Sequence, residues 1–344
     1  GADRTAACAG PPAGGDRPGA LHVAYASDAG QLEGLKASVA SLVASAAAPE
    51  DLVVHVLVAE AGADAFKRDF GIPFGCTHAV TAAGSLLWVR PVSGQLLGRA
   101  RVRYLPTERR RHGNLDAMMN FARFYLHHVL GPIVAVWLDT DTIVQSELGE
   151  LKRAILTSGK TVAFAERHRS TYNRTMNMSW MLPGHSLCNL RVPNVTRLLA
   201  QTAYNIGVLA INLQRWASRR LTDRIEDFVA QHNACGGRLW VGASQPPLLL
   251  AFHARPEGEP ADFVVLDKAW NRASLGSYVD LNATELRTMR VLHWSGARKP
   301  WKADGMYREL WAPHRARFDD LLRPGAAGGA APPAPDVDAP PPPV

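Results

Sequence analysis

The chain has 344 residues, with 38 Lys and Arg against 31 Asp and Glu for a formal net charge of +7, a hydrophobic fraction of 47% and 9 Trp. That composition builds a core and excludes a chain that is disordered or fibrous throughout. It also excludes a bilayer-spanning segment within the sequence, because no apolar run reaches the roughly 18 to 20 residues required, the longest being cut by Glu50 and Asp51 or by Asp139. Gly1 rather than Met opens the chain. The expectation is a trimmed product, with any membrane contact made through a removed N-terminal anchor.

In chain order, residues 1–20 are rich in Gly, Ala and Pro and are expected to form a stem or tail. Leu21 to Ala26 reads as a short strand. Gln31 to Ala46 places Leu32, Leu35, Val39, Leu42 and Val43 on one helix face, and Leu52 to Val58 reads as a buried strand. The next fifty residues or so carry no clear period. Leu115 to Leu130 is predicted helical, capped by Asn114 and ended by Gly131-Pro132. Ile133 to Leu138 is a central strand that runs directly into Asp139-Thr140-Asp141. Strand-like and helix-like segments alternate, which predicts an α/β domain over residues 21–322 with a mainly parallel sheet flanked by helices. A Pro- and Ala-rich tail, residues 323–344, follows.

The carboxyl end of a central strand is where ligands collect in open α/β sheets. Two carboxylates one residue apart at that place can hold one hard divalent cation, and unpaired charges at a sheet edge are costly unless something positive lies between them. A second element, His293-Trp294-Ser295-Gly296-Ala297-Arg298-Lys299-Pro300-Trp301, follows the strand-like Arg290 to Leu292. Its imidazole can be a third metal ligand, Gly296 lets backbone approach an anion, and Lys299 can meet a phosphate as a point charge. Taken singly, D-x-D is a weak signal and a lone His or Lys is usually structural or solvated. Together the residues complement one metal and diphosphate site.

Four Asn-x-Ser/Thr triplets begin at Asn173, Asn177, Asn194 and Asn282, three of them crowded between Asn173 and Thr196. They suggest a glycosylated luminal loop and residence in the secretory pathway, with the Golgi lumen expected. Cys8, Cys76, Cys188 and Cys235 show no C-x-x-C spacing, which excludes a zinc ribbon and leaves Cys188 with Cys235 as a candidate disulfide.

Six segments in order resemble family 8 of the glycosyltransferases, enzymes of GT-A fold that use nucleotide sugars: VAYASD, MNFARFYL, VWLDTDTIVQSEL, AYNIGVLAINLQRW, QPPLLLAF and HWSGARKPW. The likeness spans about Leu21 to His314 and is nearest to the plant galacturonosyltransferase-like and animal glycosyltransferase 8 domain-containing branches. It implies that Asp139, Asp141 and His293 bind Mn²⁺ or Mg²⁺, and that Ala26 and Asp28 face the uracil of a UDP-sugar. It further implies that Gly296 and Lys299 hold the diphosphate, and that Arg123 and Asn205 contact the sugar nucleotide. Transfer to a glycan or glycoconjugate acceptor would retain the anomeric configuration. Gln245 falls where some relatives carry a residue facing the anomeric carbon, and Ile206 replaces a smaller residue and is expected to narrow the sugar pocket.

Two rivals remain. A phosphatase using Asp139 as nucleophile expects Thr or Val where Ile143 stands and leaves HWSGARKPW unexplained. A luminal sugar-binding protein of the same fold without activity fits Gln245 and Ile206 but not the surviving metal ligands. The basic cluster Arg99, Arg101, Arg103 and Arg109 to Arg111 matches no nucleic-acid reader and suits an anionic glycan or a solvated loop.

Overall fold

The computed structural model describes residues 19–105, 117–166, 171, 176, 188 and 190–323. Ten strands are found among them: β1 (Leu21–Ala26), β2 (Leu52–Ala59), β3 (His78–Val80), β4 (Leu86–Val92), β5 (Val134–Leu138), β6 (Thr142–Val144), β7 (Val162–Ala165), β8 (Val208–Asn212), β9 (Phe263–Leu266) and β10 (Val291–His293). Eight form one sheet in the order β3-β4-β2-β1-β5-β8-β7-β9, and β10 pairs with β6 in a separate ribbon. Pairs β1/β2, β1/β5, β2/β4 and β7/β9 are parallel, whereas β8 runs antiparallel to both β5 and β7.

The expected strand-helix-strand opening is present. Helix α1 (Leu32–Ser45) links β1 to β2 after a 3₁₀ turn at Ala29–Gln31, so the helix starts slightly later than its apolar period predicts. The region read as one helix to Leu130 differs more. Met118–Tyr125 is a 3₁₀ stretch and only Leu126–Leu130 is α-helical, while Asn114 to Asp116 lie outside the described residues. Met119 and the whole run Phe121 to Tyr125 are buried.

One large apolar cluster covers the face of the sheet that carries Ala24, Leu57, Trp137 and Leu209, and another covers the face with Val23, Val54, Val136 and Val208. On the second face α1 packs against α2 (Arg308–Leu321), where Arg315 pairs with Glu33 at 2.6 Å and Lys36 lies over the Phe318 ring. A smaller cluster containing Ile143, Leu292, Trp294 and Trp311 supports the β6/β10 ribbon. Gly34 in α1 has no room for a side chain, because a Cβ there would run into the Trp301 ring and come 2.8 Å from the Thr140 carbonyl. The helix therefore packs directly against both segments that carry the site. Cys188 and Cys235, the candidate pair, form a disulfide, with Cα atoms 5.3 Å apart.

Candidate active site

Sheet register brings the predicted residues together. Leu138 at the end of β5 is paired with Val208 at the start of β8, so Asp139 and Gly207 face one another and the Asp139 amide donates to the Gly207 carbonyl at 2.8 Å. His293 at the end of β10 is opposite Thr142, and the next amide, of Trp294, donates to the Asp141 carbonyl at 2.9 Å. β1 lies beside β5 and runs parallel to it, so Ala26 and Asp28 emerge at the same edge. These ends border a cavity of about 720 Å³. All of Ala26, Asp28, Arg123, Asp139, Asp141, Asn205, Gln245, His293, Gly296 and Lys299 line it, as does Ile206.

Asp139 is oriented from the sheet side. Its Oδ1 accepts from the Arg123 guanidinium and from the Trp137 indole N–H, each at 2.9 Å. Arg123 is buried, lies 4.6 Å above the Trp137 ring, and donates further to the Ile206 carbonyl at 2.6 Å and the Asn120 carbonyl at 3.3 Å. Burial pushes its guanidinium below the ordinary value, and the Asp139 carboxylate acts in the opposite sense. With Oδ1 occupied in this way, Oδ2 is the atom turned toward His293, at 3.8 Å.

Asp141 is held from the ribbon side. Its Oδ2 pairs with Lys299, whose ammonium also donates to the Trp294 carbonyl at 2.8 Å, and its Oδ1 lies 3.3 Å from His293 Nε2. Burial alone would raise the Asp141 carboxyl, but the charges of Lys299 and His293 outweigh it and hold the group well below the usual carboxylate range. His293 is 2% exposed, and its Nδ1 lies 2.9 Å from Asn271 Oδ1. Asn271 Nδ2 in turn donates to Asn205 Oδ1 at 2.9 Å, and the Gly207 amide donates to the same oxygen at 2.9 Å.

One ligand atom each from Asp139, Asp141 and His293 can be chosen so that all lie within 4.8 Å of one another. Arg123 behind Asp139 and Lys299 beside Asp141 offset the two carboxylates from outside the point on which the three ligand atoms converge. This oxygen and nitrogen donor set suits Mn²⁺ or Mg²⁺, and the outer partners Arg123, Trp137 and Asn271 already orient it.

The remaining predicted residues differ in how firmly they are held. Asp28 caps the turn after β1, its Oδ1 accepting from the Gly30 amide at 2.9 Å. Gly296 has φ +128°, and a Cβ there would strike the Gly276 backbone, so the loop requires glycine. Gln245 is the first residue of α3 (Gln245–His253), which begins Gln-Pro-Pro. Trp137 and Asn271 were not singled out from sequence. Trp137 stands two residues before Asp139 on a strand, hence on the same face, and that period could have found it. Asn271 carries no sequence signal. Asn194 and Asn282 are helix N-caps, and Arg99 pairs with Glu226 at 2.7 Å. Asn173, Asn177 and Arg109 to Arg111 lie outside the described residues.

A parallel-rich sheet whose strand ends gather a D-x-D pair and a distant His defines a GT-A glycosyltransferase fold, and solved structures agree. The galactosyltransferase LgtC, crystallised with donor and acceptor sugar analogues, superposes with a TM-score of 0.56 at 18% identity, covering 88% of this chain and 95% of that one. The Glyco_transf_8 model, glycosyl transferase family 8, matches residues 99–305, and the chain belongs to that family. Similar curated proteins include the probable galacturonosyltransferase-like 10 of Arabidopsis thaliana, 24% identical over 309 residues, 86% of this chain and 76% of that protein. Human glycosyltransferase 8 domain-containing protein 2 is 26% identical over 204 residues, 56% of each chain.

Proposed function

We propose that this glycosyltransferase takes a UDP-sugar as donor, requires Mn²⁺ or Mg²⁺, and transfers the sugar with retention of configuration to a glycan or glycoconjugate acceptor. UDP-glucose, UDP-galacturonate and UDP-xylose are the donors to try first. The observation that carries the reading is the convergence of Asp139, Asp141 and His293 on one wall of a cavity that also holds Lys299. When bound, a divalent ion supplies the positive charge that lets two carboxylates and a diphosphate share one site.

Residue roles follow from position. Lys299 leaves Asp141 for the diphosphate and stabilises the charge that develops on it as the sugar departs. Gly296 lets the loop backbone approach the phosphates, Ala26 and Asp28 receive the base, and Arg123 and Asn205 border the sugar. Gln245 orients the sugar from the opposite wall, since an amide is a poor nucleophile. Residues 21–322 act as the catalytic domain. The Cys188–Cys235 disulfide and the Asn-x-Ser/Thr triplets favour the secretory pathway, and the Golgi lumen is the proposed place of action.

Screening a panel of UDP-sugars for UDP release with Mn²⁺, Mg²⁺ or chelator tests the reading. Release with at least one donor, lost on chelation, is expected. No release and no UDP binding across the panel would sink it. UDP binding without release would instead favour the non-catalytic alternative. In an active protein, Gln245→Ala should slow turnover by about 10- to 100-fold without abolishing it, and complete loss with intact UDP binding would assign Gln245 a direct role.

A further inference from the structure

The hydrogen bonds behind His293 have a fixed direction, and it can be read from a group whose role admits no choice. The Gly207 backbone amide can only donate, so the Asn205 side-chain atom 2.9 Å away is the oxygen. That same oxygen lies 2.9 Å from the Asn271 side chain, which must therefore present its NH₂. A second contact of the Asn271 NH₂, 3.3 Å to the Asn205 main-chain carbonyl, requires the same orientation. The other end of the Asn271 amide is then its oxygen, 2.9 Å from His293 Nδ1, and that nitrogen must carry a proton. Asn271 and His293 are 6% and 2% exposed, so water does not offer substitute partners.

We propose that Asn271, oriented by Asn205 and the Gly207 amide, is a positioning residue that fixes the His293 proton on Nδ1 and reserves Nε2 for the ion. Nε2 is the nitrogen that faces Asp141 at 3.3 Å and Asp139 at 3.8 Å. Were the amide of Asn271 reversed, its NH₂ would face Nδ1, the proton would be displaced to Nε2, and a donor would point at the metal position. Gly207 contributes twice. It starts the relay, and its missing side chain leaves space for the ring, because a Cβ there would lie 2.7 Å from His293 Nδ1. Asn205, which borders the sugar in the proposed function, thus links the sugar wall of the cavity to the tautomer of a metal ligand 88 residues further along the chain.

The inference rests on the metal reading, and the experiment separates the two. Protein labelled with ¹⁵N-histidine is loaded with Cd²⁺ as a diamagnetic probe, the His293 signals are identified by comparison with His293→Gln, and Mn²⁺ affinity is measured directly by electron paramagnetic resonance. Native protein should show Nε2 bound to the ion and a slowly exchanging proton on Nδ1. Asn271→Leu should lose the protection of that proton and bind Mn²⁺ on the order of 10- to 100-fold more weakly. Asn271→Asp, which keeps an acceptor toward Nδ1, should retain the protected proton and most of the affinity. Coordination through Nδ1, an unprotected Nδ1 proton in native protein, or loss of that proton in Asn271→Asp would overturn the inference, even if Asn271→Leu does not fold. A folded Asn271→Leu protein with unchanged proton exchange and Mn²⁺ affinity would overturn it equally. Absence of ion binding to native protein would instead overturn the metal reading itself.

Discussion

His22 and His55, on neighbouring strands β1 and β2, are as deeply buried as His293 at the end of β10. Their surroundings differ in one respect. In the sheet, Arg90 donates from Nε to His55 Nδ1 at 2.9 Å, which leaves His55 Nε2 to donate to His22 Nδ1 at 3.0 Å, and the two rings stack. Each of these two donors meets an acceptor within the cluster. At the end of β10 the same kind of pairing is complete behind the ring, through Asn271, whereas in front of it His293 Nε2 faces the carboxylates of Asp141 and Asp139 at the cavity. Burial of polar groups is common to both places. What distinguishes the site is the convergence of two carboxylates and an imidazole on one point of a cavity wall.

The largest effect is expected from removing Asp141 or His293, two of the three residues that converge at the cavity. Asp141→Ala or His293→Ala should lower UDP release by on the order of 10³-fold and abolish the Mn²⁺-dependent part of UDP stabilisation. That stabilisation is about 2.7 kcal/mol with UDP at a hundred times its Kd, readable as a melting shift of several degrees. An equal shift for UDP with and without Mn²⁺ in native protein would remove the ion from the account.

Next in size is Arg123→Met. It strands Asp139 beside an apolar side chain and removes the donor to Ile206, so unfolding in urea should show a loss of about 3 kcal/mol. A loss under 1 kcal/mol would mean that Trp137 alone suffices to hold Asp139.

Lys299→Ala comes next because Lys299 is the positive group paired with Asp141. UDP affinity should fall, yet Mn²⁺ in the absence of nucleotide should bind up to about tenfold more tightly, since Asp141 no longer has a competing cation. Equal weakening of both ligands, measured by calorimetry, would show that Lys299 shapes Asp141 rather than competes for it.

The smallest effect belongs to the cluster of His22, His55 and Arg90. Burial, then the Arg90 and His22 charges, hold His55 well below its ordinary value of 6.5. A base with a depressed folded value binds its proton more readily unfolded, so its contribution is intact above pH 6.5 and declines as pH falls toward the folded value. The decline approaches about 1.4 kcal/mol per pH unit for this one group. His55→Gln, which keeps an acceptor for Arg90, should flatten the acid limb of stability by about that slope and leave UDP binding unchanged. An unaltered slope would show that the other buried histidines, such as His232 and His253, dominate acid unfolding.

Several of these features were legible in the residues alone, for identifiable reasons. Strand β1, helix α1 and strand β2 have unmixed periods, and β5 runs without interruption into its two carboxylates. The HWSGARKPW segment concentrates His, Gly and Lys at spacings that only a site uses together. Residues 59–105 were opaque because β3 is three residues long and β4 contains Pro91, which ordinarily argues against an interior strand. The antiparallel course of β8 was also hidden, since VLAIN has the same apolar character in either direction. Asn271 had to wait for three dimensions. Its meaning comes from Asn205 and His293, which the chain places 66 and 22 residues away.

Helix α3 opens toward the cavity as Gln245-Pro246-Pro247, and proline has no amide proton. Helix beginnings ordinarily gather exposed N–H groups and attract anions. This one has been stripped of two of them, so it offers a charged group little to hold. Lys299 lines the same cavity with a positive charge, so the two parts of the wall differ in what they offer an anion. An anionic group that enters the cavity therefore finds a partner in Lys299 and little hold at the helix start.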